Sequence, residues 1–157
     1  MGTDIHVKLL HKTDNGYEEI YLCDKNGKNI SYRLNYENRN YDRFNVLCGV
    51  RGSGSGLISN RGLFEGTPQE IKDKYEETGY YGATHADWNE LVALARTPEA
   101  YVVDYWADED DDDDEDKPLP KMNVLQPWVD SMRVVLDAYG IYYPKPGEVI
   151  VDIYFDC

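Results

Sequence analysis

Arginines and glycines cluster in one basic segment of an otherwise acidic chain. Residues 33–64 contain five of the seven arginines, opposed only by Glu37 and Asp42, so the segment carries +3 while the whole chain carries −14. Arginine forms bidentate contacts with phosphate and carboxylate groups, and a glycine-rich turn lets backbone N–H groups approach an anion. The segment therefore predicts a binding site for an anionic, phosphate-bearing small molecule. The candidate ligand-binding residues are Arg39, Asn40, Tyr41, Arg43, Arg51, Gly52, Gly54 and Arg61.

This basic segment also has a structural interpretation. Its glycine-rich stretch lacks the Lys-Ser/Thr pair of a P-loop and does not follow a strand of a βαβ unit, and a Gly-Ser repeat is typical of flexible linkers. The arginines could likewise be neutralised by acids from elsewhere in the fold instead of by a ligand. The acids considered for such structural ion pairs are Asp4, Asp87, Asp104 and Asp152.

Two short segments contain residue types that bind divalent metals. Asp4 and His6 lie two positions apart in an alternating segment, so their side chains would share one face of a strand. His85 and Asp87 have the same spacing in a second segment, although Asp87 could instead cap a helix. Two histidines and two aspartates could hold a divalent metal, so a metal-dependent phosphoesterase or nuclease is an alternative function. The spacing matches no standard metal motif, and the sequence identifies no certain cofactor.

Residues 108–116 are nine consecutive acids, without which the net charge of −14 would be −5. Such a run repels itself and cannot pack, so we expect a solvated insertion between two ordered elements. A third function follows from this run: an acidic inhibitor, or DNA mimic, that occupies a host nucleic-acid-binding protein. The net charge argues against direct binding of nucleic acid by this chain.

Composition predicts a single cytoplasmic domain over residues 1–157, with the acidic insertion at 108–116. Three cysteines without a C-x-x-C spacing favour a reducing compartment over a disulfide framework. No apolar run approaches the length of about 18 residues that a membrane helix requires, and no leader opens the chain. We therefore expect no membrane partner.

Hydrophobic periodicity predicts an α+β fold. Residues 3–10, 17–23 and 28–34 are expected to form a three-stranded antiparallel meander, with turns at Asn15-Gly16 and Asn26-Gly27. A short helix capped by Asn38 or Asn40 would carry Arg39 and Arg43 on one face and end at Gly49. The other expected elements are a helix over residues 67–77 opened by a capping box at Thr67, helices over 87–96 and 124–139, and strands over 101–107 and 149–156. These strands and three to four helices predict an antiparallel sheet packed with helices.

Several blocks, in the same order, resemble a family of small proteins from bacteriophages and bacteria. The blocks are GTDIH at residues 2–6, RNYDRF at 39–44, GVR at 49–51, RGL at 61–63 and THADW at 84–88. The resemblance covers about residues 1–95 and assigns no catalytic residue. It implies a phage-related setting in the host cytoplasm. In that setting, an anion-binding protein would suit a sponge that sequesters a host immune signal, and a host defence protein is a further expected partner.

Overall fold

The computed structural model describes residues 3–50, 56–78, 82–104 and 118–156. These residues form an α+β fold with four α-helices, a four-stranded antiparallel sheet and a two-stranded hairpin, which confirms the predicted fold class. The acidic run at 108–116 lies outside the described residues, as do Arg51, Gly52 and Gly54. Within the described ranges, no helix has the length and apolar character needed to cross a bilayer.

The strands and helices alternate irregularly along the chain. Two 3₁₀ turns, at Ser31–Leu34 and Pro98–Ala100, accompany them. The elements are β1 (Asp4–Thr13), β2 (Gly16–Ile20), α1 (Tyr41–Cys48), α2 (Gln69–Glu77), β3 (Gly82–Asp87), α3 (Trp88–Leu94), β4 (Tyr101–Val103), β5 (Lys121–Asn123), α4 (Gln126–Ala138) and β6 (Val149–Asp156).

The main sheet has the strand order β2-β1-β6-β3, so the last strand of the chain lies in its interior. Strand β6 pairs antiparallel with β1 and β3, and Ile153 lies between Val7 and Thr84. Every residue of β6 from Val149 to Phe155 is buried. This burial explains why β6 is almost continuously apolar, since a central strand covered on both faces cannot alternate with polar residues.

Helices cover both faces of the sheet. On one face, Ile5, Val7 and Leu9 of β1 belong to a core that includes buried residues of α1, α3 and α4. On the other face, Leu10 and Ile150 pack with residues of α2 and of the loop before it. The fold is therefore a three-layer arrangement with the sheet in the middle.

Several local signals act as the sequence predicts. The Asn40 side chain caps α1 by accepting a hydrogen bond from the Arg43 N–H at 3.0 Å, and Gly49 ends the helix with φ 71°. Asp87 caps α3 by accepting a bond from the Asn89 N–H at 2.9 Å. Both caps use side chains within three residues of the amide they bind, so local sequence is sufficient to predict them.

The prediction of a third meander strand over residues 28–34 is wrong. Residues 28–34 form one isolated bridge, between Cys23 and Asn29, and then the 3₁₀ turn Ser31–Leu34. Two backbone bonds close the turn at Asn26-Gly27, from the Asp24 N–H to the Lys28 carbonyl at 2.9 Å and from the Ile30 N–H to the Leu22 carbonyl at 2.7 Å. Side chains then end the pairing: the Ser31 hydroxyl accepts a bond from the Leu22 N–H at 2.7 Å, and the Asn29 side chain accepts one from the Ser31 N–H at 2.9 Å. The far side of β2, where that strand was expected, therefore has no ladder partner among the described residues, and it is β1 that lies between two strands, β2 and β6.

The predicted capping box at Thr67 is also wrong. The residue that precedes α2 is Pro68, and no side chain of the described residues caps this helix. The Thr67 hydroxyl instead donates to a carboxylate oxygen of Asp152 at 2.5 Å. A long-range partner on β6 therefore uses the hydroxyl that the capping box would have required.

Candidate anion-binding cleft

A cleft of about 550 Å³ opens between the loop that precedes α1 and the first turns of α4. It contains two arginines and three asparagines, and no acidic side chain is among the described residues that line it. Its walls therefore present positive charge and amide groups in a protein whose net charge is −14. The lining residues are Leu34, Asn35, Asn38, Arg39, Asn40, Arg43, Pro127 and Ser131.

Asparagines shape the loop that forms one wall of the cleft. Asn35 adopts the left-handed conformation with φ 61°, which asparagine tolerates better than most residues. Backbone bonds then turn the chain, from the Asn38 N–H to the Asn35 carbonyl at 3.3 Å and from the Asn40 N–H to the Asn38 carbonyl at 2.7 Å. The Trp128 indole N–H donates to the Tyr36 carbonyl at 2.9 Å, which joins this loop to α4.

Arg43 carries a buried charge into the cleft. Its side chain projects from the first turn of α1, only 7% of the residue is exposed, and its Nε donates to the Val124 carbonyl at 2.6 Å. Burial lowers the pKa of Arg43 to about 10, so the guanidinium stays protonated at neutral pH. Among the described residues, Arg43 forms no ion pair. A buried cation with only a neutral acceptor is unfavourable and would be stabilised by an anion.

Arg39 lies on the exposed side of the same cleft and has a carboxylate partner. Its Nε donates to an Asp4 oxygen at 3.0 Å, and its Nη2 donates to the same oxygen. These hydrogen bonds lower the pKa of Asp4 and raise the pKa of Arg39. One of the structural ion pairs considered from the sequence is therefore present. Because both side chains are about half exposed, the pair is weak enough to exchange with a competing anion.

Two helix N-termini contribute to the cleft. Asn40 is the cap of α1, and Pro127 is the second residue of α4. The first turn of α4 contains no acidic residue that would offset its positive end. The side chain of Asn123 accepts bonds from the first amides, Leu125 and Gln126, at 2.9 Å each. Asp42 in the first turn of α1 partly offsets the positive end of that helix, so it is mainly the dipole of α4 that favours negative charge near this position.

Of the other predicted ligand-binding residues, Arg61 and Tyr41 do not line this cleft, and Arg51, Gly52 and Gly54 lie outside the described residues. Arg61 makes a bidentate pair with Glu90 on α3, at 2.5 and 2.9 Å, and its Nη1 donates to the His85 carbonyl at 3.3 Å. The Tyr41 hydroxyl accepts a bond from the Thr3 N–H at 3.2 Å. Of the predicted set, the structure thus brings together Arg39, Asn40 and Arg43.

The four predicted metal ligands share one face of the sheet but are not adjacent. Asp4 and His6 belong to β1, His85 and Asp87 belong to β3, and β6 lies between the two strands. Asp4 pairs with Arg39, and Asp87 caps α3. Within the described residues, no group of three or more His, Cys, Asp or Glu side chains is arranged to hold a metal ion.

Both histidines of that set have structural partners. His6 Nε2 lies 2.8 Å from a carboxylate oxygen of Asp156, and its ring stacks on Tyr154 with centroids 4.5 Å apart. His85 Nδ1 donates to the Gly62 carbonyl at 2.9 Å, because a carbonyl can only accept. These contacts give each histidine a role in joining segments of the fold.

The sequence did not identify five of the eight residues that line the cleft: Leu34, Asn35, Asn38, Pro127 and Ser131. Asn35 and Asn38 precede Asn40 in an asparagine-rich loop, and this repeated residue type is a signal that could have identified them. Pro127 and Ser131 come from a helix more than 80 positions further along the chain. No local pattern connects these two positions with the arginines, so only the packing of α4 reveals them.

Comparison with known proteins assigns no role to the cleft. No family model, no curated protein and no solved structure matches the chain. The function of the cleft is therefore inferred from its own residues, charges and dimensions.

Proposed function

We propose that this protein binds a phosphate-bearing small molecule, such as a nucleotide, in the cleft between the start of α1 and the first turns of α4. The observation that carries the proposal is the buried guanidinium of Arg43, which lines the cleft and forms no ion pair among the described residues. A phosphate oxygen would supply the missing negative charge and would form charge-assisted hydrogen bonds with this fork-shaped donor.

The rest of the cleft suits such a ligand. A volume of about 550 Å³ falls within the range of small-molecule sites. The amide side chains of Asn35 and Asn38 can both donate to and accept from the polar atoms of a base or sugar. Arg39 provides a second cation that can turn from Asp4 to the ligand, so the free cleft keeps its exposed guanidinium paired until an anion arrives.

Local and overall charge act differently on anions. The net charge of −14 repels a long polyanion along its whole length, whereas a small anion inside the cleft is close to Arg39 and Arg43. The proposed ligand is therefore a small molecule and not a nucleic acid.

The biological setting comes from the sequence resemblance. Similarity of residues 1–95 to phage and bacterial proteins favours a cytoplasmic protein that sequesters a nucleotide signal of host defence. Binding without turnover would suffice for this role. The ligand class in this proposal rests on the cleft and stands independently of the setting.

Calorimetric titration with inorganic phosphate, mononucleotides and cyclic dinucleotides tests the proposal. At least one of these phosphate compounds should bind the wild type. Arg43→Gln should weaken that binding by about 1.5–3 kcal/mol, the range for hydrogen bonds to charged groups. Arg61→Gln is the matched control: it removes a guanidinium paired with Glu90 outside the cleft and should leave affinity unchanged.

Circular dichroism and thermal melting should accompany each titration, because Arg43 also bonds the Val124 carbonyl. Arg43→Lys, which keeps the charge and loses the fork geometry, should show an intermediate affinity. The proposal fails if no phosphate compound binds, or if folded Arg43→Gln binds as tightly as the wild type.

A further inference from the structure

Strand β2 forms one edge of the main sheet and pairs with β1 on one side only. In an antiparallel pair, alternate residues direct their N–H and C=O groups toward the partner strand, while the residues between them direct these groups outward. The outward groups of an edge strand are a template for another extended chain unless the fold covers them.

The register shows which residues of β2 point outward. Thr13 pairs with Gly16 across the two-residue turn, so this pair shares the hydrogen bonds that close the hairpin. Alternation then directs the backbone groups of Tyr17 and Glu19 away from β1. Outside the strand ladders, no backbone group of the described residues forms a hydrogen bond with the N–H or C=O of either residue.

Two neighbouring contacts support this assignment. Lys12 lies opposite Tyr17 and donates its N–H to the Glu148 carbonyl at 2.8 Å, on the β6 side of β1, so this pair shares no ladder bonds. Tyr21, one step beyond Glu19 in the outward series, uses both backbone groups with the Tyr139 hydroxyl: its N–H lies 3.4 Å and its carbonyl 3.1 Å from that oxygen.

Other exposed parts of the sheet have covers. On the opposite edge, the Ala83 carbonyl of β3 accepts a bond from the Gly62 N–H at 3.1 Å. Where β1 extends past the end of β2, a Glu37 carboxylate oxygen accepts the Val7 N–H at 2.8 Å. Unlike these covered groups, the outward N–H and C=O groups of Tyr17 and Glu19 on β2 are available to a partner strand.

A groove of about 510 Å³ runs beside the open edge, between β2 and the start of α2. It contains three glutamates and two tyrosines, and no basic residue is among the described residues that line it. Lys8 lies 3.9 Å from Glu19 and 3.9 Å from Glu37, so one cation is shared by two carboxylates. The lining residues are Tyr17, Glu18, Glu19, Tyr21, Pro68, Gln69, Glu70 and Ile71.

We propose that the edge of β2 binds an extended, lysine- or arginine-rich segment of a partner polypeptide as an added strand. Backbone groups of Tyr17 and Glu19 would form the ladder, and the glutamates of the groove would pair with basic side chains of the segment. A second copy of this chain fits less well, because pairing β2 with itself brings like charges together.

A fluorescein-labelled peptide of about eight residues that alternates lysine with valine or threonine tests this inference. Fluorescence anisotropy should show binding, and hydrogen exchange of the Tyr17 and Glu19 amides should slow when the peptide is added. The same peptide with N-methylated backbone positions should bind at least about tenfold more weakly, because it cannot complete the ladder. A peptide with glutamate in place of lysine should not bind.

Variants of Glu19 separate the backbone from the charge. Glu19→Pro removes the outward N–H at an edge position where proline is tolerated, and Glu19→Gln removes only the charge. The proline variant should bind the lysine peptide more weakly than the glutamine variant. Equal binding of the N-methylated peptide, unchanged exchange of the two amides, or a wild-type dimer with this edge protected would each overturn the inference.

Discussion

Asp152 is a carboxylate in the middle of the central strand, with no solvent exposure. It accepts hydrogen bonds from the Thr67 hydroxyl at 2.5 Å and from the Phe64 N–H at 2.9 Å. These bonds join the loop before α2 to the sheet. Burial raises the pKa of Asp152 above its ordinary value of 3.8, and the two hydrogen bonds only partly oppose that effect.

The raised pKa of Asp152 predicts a pH-dependent stability. The folded state holds this proton more tightly than the unfolded state, so the stabilising contribution is complete below pH 3.8 and is lost as pH rises through the folded-state pKa. Asp152→Asn keeps an acceptor for Phe64 and a polar partner for Thr67 but does not titrate. Across pH about 3 to 7, urea unfolding should show the free energy of unfolding of the wild type falling relative to this variant.

The control for this comparison is Asp137→Asn, which alters an exposed carboxylate on α4. Its pH profile of unfolding free energy should run close to that of the wild type. If Asp152→Asn and the wild type changed in parallel, the buried carboxylate would not be the source of the pH dependence.

At the scale of elements, α1 positions the arginine that the proposed function requires. The Asn40 side chain bonds the Arg43 N–H, so the cap and the guanidinium belong to the same helical turn. Replacing a cap by alanine typically costs about 1 kcal/mol. Because Asn40 also lines the cleft, stability and ligand binding can be tested together at one position.

Asn40→Ala should lower the free energy of unfolding by about 1 kcal/mol, measured by urea denaturation. Asn40→Asp preserves capping and should keep stability, yet it adds a negative charge to the cleft and should weaken binding of a phosphate ligand. Asn45→Ala, at an exposed site within α1, is the control: it should leave binding unchanged and should raise stability slightly, because alanine has the higher helix propensity. Loss of stability in Asn40→Asp equal to that in Asn40→Ala would contradict the assigned cap.

The sequence predicted elements well where their determinants are local. Asn40 and Asp87 act on amides within three residues, and the turn at Gly16 closes a hairpin between adjacent strands. These features require no knowledge of the rest of the fold. The helices α1 to α4 and the strands β1, β2 and β6 were therefore predicted near their observed positions, although the cap of α2 was not.

Elements determined by distant partners were missed. Strand β3 lacks a strong alternating pattern and is stabilised by β6, which pairs with it from the end of the chain. The local sequence pattern assigned Thr67 as a helix cap. Its hydroxyl instead bonds Asp152, which is 85 positions away and is not apparent from the local pattern. The candidate site shows the same limit, since the arginines are apparent in the sequence but the contribution of Pro127 is not.

At the scale of the whole molecule, charge is distributed unevenly. The acids of residues 108–116 supply nine of the negative charges behind a net charge of −14. The cleft beside α1 is lined by two arginines, and the groove beside β2 is lined by three glutamates. The negative charge of residues 108–116 should therefore act in opposite directions at the two places, repelling an anion from the cleft and attracting a cationic segment to the groove.

Replacing the acids of residues 108–116 with an equal number of serines and asparagines tests this opposition. The net charge would change from −14 to −5 without a change in chain length. At about 20 mM salt, the variant should bind a phosphate ligand more tightly and the lysine peptide more weakly than the wild type. In both cases the association rate should change more than the dissociation rate. Both differences should shrink at about 0.3 M salt, where charges are screened within several ångströms. Stopped-flow and equilibrium titrations measure them. A change of both affinities in the same direction would show that the replaced segment acts by a route other than its long-range field.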